Sequence, residues 1–227
     1  MWGGQSCPHP RLAAPQKVPR VPYEGAVTYP RSSRARDDAG DLMRVIAGEL
    51  RSRRLKSIPG EATRPTSDRL RETLFNILQA RIEGAVFVDA YAGTGAVGIE
   101  ALSRGASHAF FLEKNRAALE AIRENVASLG LGRRAAVLAG PVLRTLEGCK
   151  GDVVFLDPPY DLESEYASAL ELLGRKPPDL VVVQHSVRLS LGEAYGAMTR
   201  TRIVKQGDNA LSFYAPAVIY QAEESDA

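Results

Sequence analysis

The chain has 227 residues, of which 44% are hydrophobic and 25% are charged, and its formal net charge at pH 7 is +2. These values are ordinary for a globular protein with one core, and so small a net charge means that any affinity for nucleic acid must come from local clusters of basic residues. No apolar run reaches about 18 residues and the start of the chain lacks a signal-peptide core, which predicts a cytoplasmic protein without a membrane span. The two cysteines and three histidines form no metal-ligand pattern, which predicts that there is no metal site.

The beginning of the chain differs in character from the remainder. Residues 1–42 are rich in proline and glycine and have no hydrophobic periodicity, which predicts a disordered extension or a start assigned too early. Residues 43–60 alternate apolar and polar side chains at their centre and are dense in arginine, which predicts a basic β-hairpin or extended arm. Residues 64–82 place leucine and isoleucine on one helical face behind N-cap candidates, which predicts an amphipathic helix.

Short apolar strands alternate with helices over most of the remaining chain. This alternation predicts an α/β fold with a doubly wound, mostly parallel sheet. Two strand-like runs around a Gln-Gly-Asp-Asn turn in residues 198–216 predict a C-terminal antiparallel hairpin. The predicted strands are 85–90, 108–113, 135–139, 152–157 and 179–184, and the predicted helices are 95–105, 115–130, 141–148 and 163–173.

A glycine-rich loop lies between the first strand and the helix that follows it. Gly93, Gly95 and Gly98 have the spacing G-x-G-x-x-G, which allows a tight turn and a close approach of a ligand to the backbone. Glu113 ends the second strand, where a carboxylate can accept both hydroxyl hydrogens of a ribose. These features predict an adenosine-containing cofactor at the carboxyl ends of the strands. They do not choose between NAD and S-adenosylmethionine.

The tetrapeptide Asp157-Pro158-Pro159-Tyr160 ends the fourth strand, which should lie beside the first. Its prolines fix φ and remove two N–H donors, so the segment is stiff and presents carbonyl and carboxylate acceptors next to an aromatic ring. Such acceptors suit an exocyclic amino group of a planar base, which gains positive charge as it attacks a sulfonium methyl. A nicotinamide enzyme has no evident use for them. With a reference pKa of about 3.9, Asp157 is predicted to align the amine rather than to act as a general base.

These motifs resemble a known family. The tetrapeptide and "DAYAGTGAVGIEALSRGA" are similar to the class I S-adenosylmethionine-dependent methyltransferases that modify exocyclic amines. The segments "MRVIAGELRSRRL", "RPTSDRLRETLFNIL" and "KQGDNALSFY" narrow the resemblance to the RsmD family, whose members methylate N2 of one guanine, number 966, in bacterial 16S ribosomal RNA. The resemblance covers Met43 to about Pro216.

The resemblance implies a fold, a cofactor, a partner and a set of site residues. It implies a Rossmann-like enzyme that uses S-adenosyl-L-methionine and acts as a monomer on 16S ribosomal RNA, free or within the assembling small subunit. It divides the chain into an extension at 1–42, a basic hairpin and helix at 43–82, a methyltransferase domain at 83–220 and a tail at 221–227. The implied residues are Asp89, Ala90, Gly93, Gly95, Glu113, Lys114, Ala139 and Gly140 for the cofactor, Asp157, Pro158, Pro159 and Tyr160 for the base, and Arg44, Arg51, Arg53, Arg54, Lys56 and Arg64 for RNA.

Two positions depart from the family pattern, and three other functions stay open. Gly140-Pro141 and Gln184 stand where the family often has acids. Because of the first departure, we expect backbone atoms near Ala139 and Gly140 to contact the adenine in place of a side chain. A DNA adenine-N6 methyltransferase shares the tetrapeptide but needs a target-recognition insertion, for which the segment from Tyr160 to Asp179 is too short. The intact Asp157 counts against a non-catalytic RNA-binding assembly factor, and only the glycine spacing suggests a nicotinamide oxidoreductase.

Overall fold

The computed structural model describes residues 43–58, 68–159 and 162–217. All the structural statements below concern these residues. The predictions that fall outside them concern residues 1–42, Arg64, Tyr160 and the tail at 221–227.

Helices and strands alternate through most of the described chain, as the sequence predicts. The helices are α1 Asp68–Ile82, α2 Ala96–Ser103, α3 Arg116–Ser128, α4 Val142–Glu147 and α5 Glu163–Arg175. The strands are β1 Val86–Ala90, β2 His108–Glu113, β3 Ala135–Ala139, β4 Val153–Leu156, β5 Leu180–Ser186, β6 Ala194–Tyr195, β7 Met198–Gln206 and β8 Asn209–Pro216. Among the helices of the described residues, none is both long and apolar enough to cross a membrane.

The described strands form one sheet in the order β3-β2-β1-β4-β5-β8-β7-β6. Strands β1 to β5 pair in parallel, and β8, β7 and β6 extend the sheet with antiparallel pairs. The predicted mostly parallel sheet with a C-terminal antiparallel hairpin is therefore confirmed. The strand order reverses between β1 and β4, and in such sheets ligands bind in the crevice outside the carboxyl ends of the strands at the reversal.

Strand pairing explains why two elements differ from the prediction. Strand β5 continues two residues beyond its predicted end because its last three residues pair with the first three residues of β8. Strand β6 was not predicted, since its two residues are too few to show a periodicity and only its pairing with the start of β7 makes it a strand.

Two apolar clusters cover the two faces of the sheet. Successive strand residues point to opposite faces, so Phe87 of β1 belongs to one cluster and Val88 to the other. The first cluster includes buried residues of α1, α2 and α3, and the second includes buried residues of α4 and α5. We name these two sides of the sheet the α2 face and the α5 face.

Residues 43–58, which we call the arm, pack on the α2 face. The arm follows a hairpin path: the Leu55 N–H donates to the Met43 carbonyl at 2.8 Å, and Arg44 and Arg54 form an antiparallel bridge. Val45 and Leu55 are buried in the cluster of the α2 face. The alternation of the sequence predicts a β-hairpin or an extended arm, and the structure has a hairpin path with this single bridge, because much of the remaining arm backbone bonds to α2.

Helix α2 supplies the polar groups that hold the arm. Glu100 is fully buried, and its carboxylate accepts the Ile46 N–H at 2.8 Å and the Ala47 N–H at 3.0 Å. The Arg104 side chain donates to the same carboxylate at 2.7 Å. The Ser103 hydroxyl donates to the Ala47 carbonyl at 2.6 Å. A buried carboxylate needs such partners, because a buried charge that loses its partner costs about 3–5 kcal/mol.

The substitution Gly48→Ala tests this packing. Gly48 has a φ of +81, and a Cβ there would lie 1.9 Å from the Ser103 carbonyl oxygen. The matched control is Gly84→Ala, which has a similar φ of +77 but no heavy atom within 4 Å of its Cβ position. We expect Gly48→Ala to lower the free energy of unfolding by about 1–3 kcal/mol more than the control, because of overpacking. Urea denaturation measures the difference, and equal losses in the two variants would show that the arm does not pack on α2.

Candidate active site

The glycine loop between β1 and α2 turns at three residues with positive φ, which are Tyr91 and two glycines. Gly93 has a φ of 54 and Gly95 a φ of 78, values that glycine adopts without steric cost. A Cβ at Gly93 would have no heavy atom within 4 Å. By contrast, a Cβ at Gly98 would lie 2.4 Å from the ring of Phe111 in β2. The loop therefore presents open backbone at Gly93, and Gly98 permits the close packing of α2 on the sheet.

Asp89 fixes the first turn of α2. Its side chain is buried, and Oδ2 accepts the Gly98 N–H at 2.8 Å. Burial raises the pKa of the Asp89 carboxyl well above its usual value, and the charges of Asp157 and Glu113 raise it further. The charges of Asp157 and Glu113 therefore act on the buried carboxyl of Asp89.

Glu113 ties the end of β2 to the glycine loop. It is 8% exposed, and its carboxylate accepts the N–H groups of Gly93 at 2.9 Å, Lys114 at 2.7 Å and Asn115 at 2.8 Å. These bonds use three of the roughly four acceptor positions of a carboxylate. The Gly140 N–H donates to the Glu113 carbonyl at 3.0 Å, which brings the end of β3 to the same place. Glu113 thus connects three segments that are predicted to bind the cofactor: the glycine loop, the end of β2 and the end of β3.

The predicted base-binding tetrapeptide lies directly beside this loop. Strand β4 pairs with β1, and the Asp157 N–H donates to the Ala90 carbonyl at 3.4 Å. The Pro158 carbonyl accepts the hydroxyl of fully buried Tyr166 at 2.9 Å, and the Pro159 carbonyl accepts the Leu162 N–H at 3.0 Å. Each carbonyl keeps a second lone pair. The described part of the tetrapeptide is thus pinned to β1 on one side and to α5 on the other.

Two tyrosines that the sequence reading did not single out connect α5 to the site. Tyr91 has a φ of 64, an uncommon conformation for a side chain of its size, and its hydroxyl donates to Glu165 at 2.5 Å. Burial and the bond to Glu165 raise the pKa of Tyr91. Tyr166 holds the Pro158 carbonyl from the next position of α5. No spacing in the sequence pairs these residues, since each pair is brought together by the fold.

Asn125 connects the arm to the glycine loop. Its Oδ1 accepts the Lys56 N–H at 2.7 Å, and its Nδ2 donates to the carbonyls of Lys56 at 3.2 Å and Thr94 at 3.0 Å. The Thr94 hydroxyl also donates to the Met43 sulfur at 3.2 Å. The sequence gives one signal for this role, because Asn125 is a polar residue on the buried face of the amphipathic α3.

The basic side chains of the arm divide into two groups. Arg53 donates to the Ser128 carbonyl at 3.2 Å, and Lys56 forms an ion pair with Glu124, so both are engaged by α3. The side chains of Arg44, Arg51 and Arg54 are exposed and form no ion pair with any residue that the structure describes. These three side chains give the arm positive charge that the described residues leave uncompensated.

The remaining predicted cofactor residues lie at the same strand ends. Ala90 is buried at the end of β1, while Lys114 and Ala139 are exposed after β2 and at the end of β3. Pro141 is the N-cap of α4, so the proline near the start of that predicted helix stands where it was expected. Over the described parts of the chain, no group of three or more His, Cys, Asp or Glu side chains is arranged to hold a metal ion.

Asp89→Asn tests the electrostatic description of the loop. Because the pKa of Asp89 is raised in the folded state, that state binds a proton more tightly than the unfolded chain, and the contribution of Asp89 to stability falls as pH rises above about 4. Asparagine has no charge and keeps an oxygen acceptor for the Gly98 N–H. We therefore expect Asp89→Asn to be more stable than wild type at neutral pH, with a difference that grows from about pH 4 upward. Urea denaturation across this pH range measures it, and a constant difference would contradict the raised pKa.

Comparison with known proteins agrees with this arrangement. A family model described as "Conserved hypothetical protein 95" matches residues 43–215. The YlbH protein of Bacillus subtilis is 33% identical over 183 residues, which are 76% of this chain and 98% of that protein. Ribosomal RNA small subunit methyltransferase D of Haemophilus influenzae is 37% identical over 150 residues, which are 63% of this chain and 78% of that protein.

A solved structure extends the similarity to three dimensions. The yhhF methyltransferase of Escherichia coli superposes with a TM-score of 0.67 at 34% identity, over 77% of this chain and 98% of that chain. The matching family model covers the arm, the glycine loop and the tetrapeptide. The chain therefore belongs to the RsmD family of methyltransferases.

Proposed function

We propose that this protein transfers a methyl group from S-adenosyl-L-methionine to the exocyclic N2 of a guanine in 16S ribosomal RNA. The observation that carries the proposal is the position of Asp157, whose N–H reaches the Ala90 carbonyl immediately before the glycine loop. A set of acceptors for an amino group thereby lies next to a loop suited to an adenosine-containing donor. The name of the Haemophilus influenzae relative, ribosomal RNA small subunit methyltransferase D, supports the substrate class.

The residues at the strand ends fit an adenosine-containing cofactor. The open backbone at Gly93 permits close approach, and the carboxylate of Glu113 retains one acceptor position for a ribose hydroxyl. Asp89 and Gly95 shape the loop, and Ala90 and Lys114 flank it. The Gly140 N–H is bonded to the Glu113 carbonyl, so the adenine would meet other backbone atoms near Ala139 and Gly140. The bound cofactor would supply an electrophilic sulfonium methyl group.

The chain's contribution to the chemistry is to hold the amine and to stabilise its developing charge. The guanine nitrogen forms a bond to the methyl carbon as the carbon–sulfur bond breaks, and its proton then leaves to water. The carboxylate of Asp157 and the carbonyls of Pro158 and Pro159 accept the N–H bonds while positive charge grows on nitrogen. Their fixed positions can contribute up to about 7–11 kcal/mol of barrier reduction. Tyr160, which lies outside the described residues, would stack on the base at a gain of about 1–3 kcal/mol.

The arm would hold the RNA near this site. Guanine N2 inside folded RNA is reached when the base is splayed or flipped out, so the flanking backbone must be held. Arg44, Arg51 and Arg54 offer exposed positive charge for phosphates, with Arg53 and Lys56 beside them and Arg64 outside the described residues. The short segment between β4 and β5 holds α5, which leaves no room there for the insertion expected of a DNA adenine methyltransferase.

Asp157→Ala tests the catalytic proposal. Wild type incubated with labelled S-adenosylmethionine should label a guanine of 16S ribosomal RNA and leave duplex DNA unlabelled. The variant should lose about 10²–10³-fold in kcat, because a charge-stabilising acceptor is lost, while its cofactor affinity stays near that of wild type. Asp179→Ala is the matched control, since Asp179 is exposed and precedes β5 at the opposite edge of the sheet. Full activity of Asp157→Ala, or label in DNA, would refute the proposal.

The double variant Arg51→Ala/Arg54→Ala tests the role of the arm. Loss of two phosphate contacts should weaken RNA binding on the order of ten-fold and make the dependence of log Kd on log salt less steep by about 1.4, at about 0.7 per single-stranded phosphate. Arg175→Ala/Lys176→Ala is the control, because these exposed residues lie at the amino edge of the sheet. Equal salt slopes in the two double variants would exclude the arm as an RNA contact.

A further inference from the structure

A polar cavity lies beside the C-terminal hairpin, away from the glycine loop. It has a volume of about 230 Å³ and is formed by the loop after β5 together with β7 and β8. Residues that line it include His185, Arg188, Ser190, Arg200, Ile203 and Lys205. We call it the hairpin pocket. None of its residues takes part in the site described above.

The charge of the hairpin pocket is positive. Arg200 is committed, since it forms an ion pair with Glu193 and donates to the Leu191 carbonyl at 3.1 Å. Arg188 and Lys205 are exposed, and neither forms an ion pair with the residues that the structure describes. Two cations of the pocket are thus available to a ligand.

The floor of the pocket is the buried ring of His185, which has a hydrogen-bond partner at each nitrogen. His185 is buried, with Nδ1 2.8 Å from the Ser186 carbonyl and Nε2 2.9 Å from the Ser212 hydroxyl. A neutral ring that donates from Nδ1 and accepts at Nε2 satisfies both contacts. Burial lowers the pKa of His185, and the charges of Arg200 and Lys205 lower it further. The same two charges therefore reach the floor of the pocket, and an anion there would relieve their effect.

Strand register fixes the distance between the pocket and the proposed base site. Leu156, the residue before Asp157, pairs with Val183 of β5, and two residues later His185 is level with Ala210 and Lys205. Neighbouring strands lie about 4.8 Å apart, so β8 and β7 are about 10–14 Å from β4 along the same edge. A few nucleotides of single-stranded RNA span such a distance.

The pocket and the arm lie on opposite faces of the sheet. Leu191, which lines the pocket, is buried in the cluster of the α5 face, whereas Val45 of the arm is buried in the cluster of the α2 face. Asp157 stands at the strand end between them. Strand β6 pairs only with Met198 and Thr199, so Lys205 lies in the part of β7 that β6 does not cover, and protection of such an open strand by lysine explains Lys205 alone. It does not explain Arg188, which comes from another segment and lines the same cavity.

We propose that the hairpin pocket binds a backbone phosphate of the substrate RNA on the side of the target guanine opposite to the arm. This inference rests on the proposed function. With the arm on one flank and the pocket on the other, the RNA would be held on both sides of the nucleotide that must leave its stack.

The test compares Arg188→Ala/Lys205→Ala with the control Arg175→Ala/Lys176→Ala at the opposite edge of the sheet. The pocket variant should raise KM for 16S ribosomal RNA on the order of ten-fold and flatten the salt dependence of RNA affinity by about 0.7–1.4, for one or two phosphates. Its kcat and its affinity for S-adenosylmethionine should match those of the control. The charge-retaining variant Arg188→Lys/Lys205→Arg should restore the salt slope, which a purely structural role would not require.

The outcomes separate this inference from the proposed function. If wild type methylates no RNA, the proposed function fails and the inference with it. If wild type is active and the pocket variant keeps the wild-type KM and salt slope, the inference alone is wrong. If KM rises for the small subunit while affinity for protein-free RNA is unchanged, the pocket contacts a ribosomal protein, and the inference is again wrong.

Discussion

The glycine loop keeps its shape because two buried carboxylates accept its backbone N–H groups. Asp89 holds Gly98 in the first turn of α2, and Glu113 holds Gly93 and the start of the segment after β2. Without these bonds, a loop with glycines at positive φ would have many conformations, and no fixed surface would exist for a cofactor. Burial and the nearby charges of Asp157 and Glu113 raise the pKa of the Asp89 carboxyl, and Asp89 is retained in spite of this cost, since the loop geometry depends on its hydrogen bond to Gly98.

Hydrogen bonds connect the glycine loop to α5 on one side and to the arm on the other. The Tyr91 hydroxyl, at the start of the loop, donates to Glu165 of α5, and the hydroxyl of the next α5 residue, Tyr166, donates to the Pro158 carbonyl of the tetrapeptide. On the other side, Asn125 joins Thr94 of the loop to Lys56 of the arm. The segments proposed to bind cofactor, base and RNA are therefore linked by hydrogen bonds within one framework.

The tetrapeptide proposed to bind the base and the pocket proposed to bind a phosphate lie at the same edge of the sheet. The carboxyl ends of parallel strands meet at one edge, and there the antiparallel β7–β8 hairpin brings the hairpin pocket into line with Asp157. The tetrapeptide and the pocket lie along this edge, and Asn125 connects Lys56 of the arm to Thr94 of the glycine loop. The arm depends for its place on two buried polar residues of α2, Glu100 and Ser103, which bond to the arm backbone and hold this basic segment against the core.

The sequence alone determined the order and type of the main elements, the parallel sheet and the family, because hydrophobic periodicity and the spacing of glycines and prolines are local properties of the chain. It also predicted that Asp157 lies beside the glycine loop, because the fourth strand of a doubly wound sheet lies next to the first, and in the structure β4 pairs with β1. Only the tertiary structure decided that Glu100 and Asn125 anchor the arm, that Tyr166 holds Pro158, and that Arg188 and Lys205 share a cavity. These contacts join residues far apart in the chain, and no local pattern specifies which distant backbone group a buried polar side chain will meet.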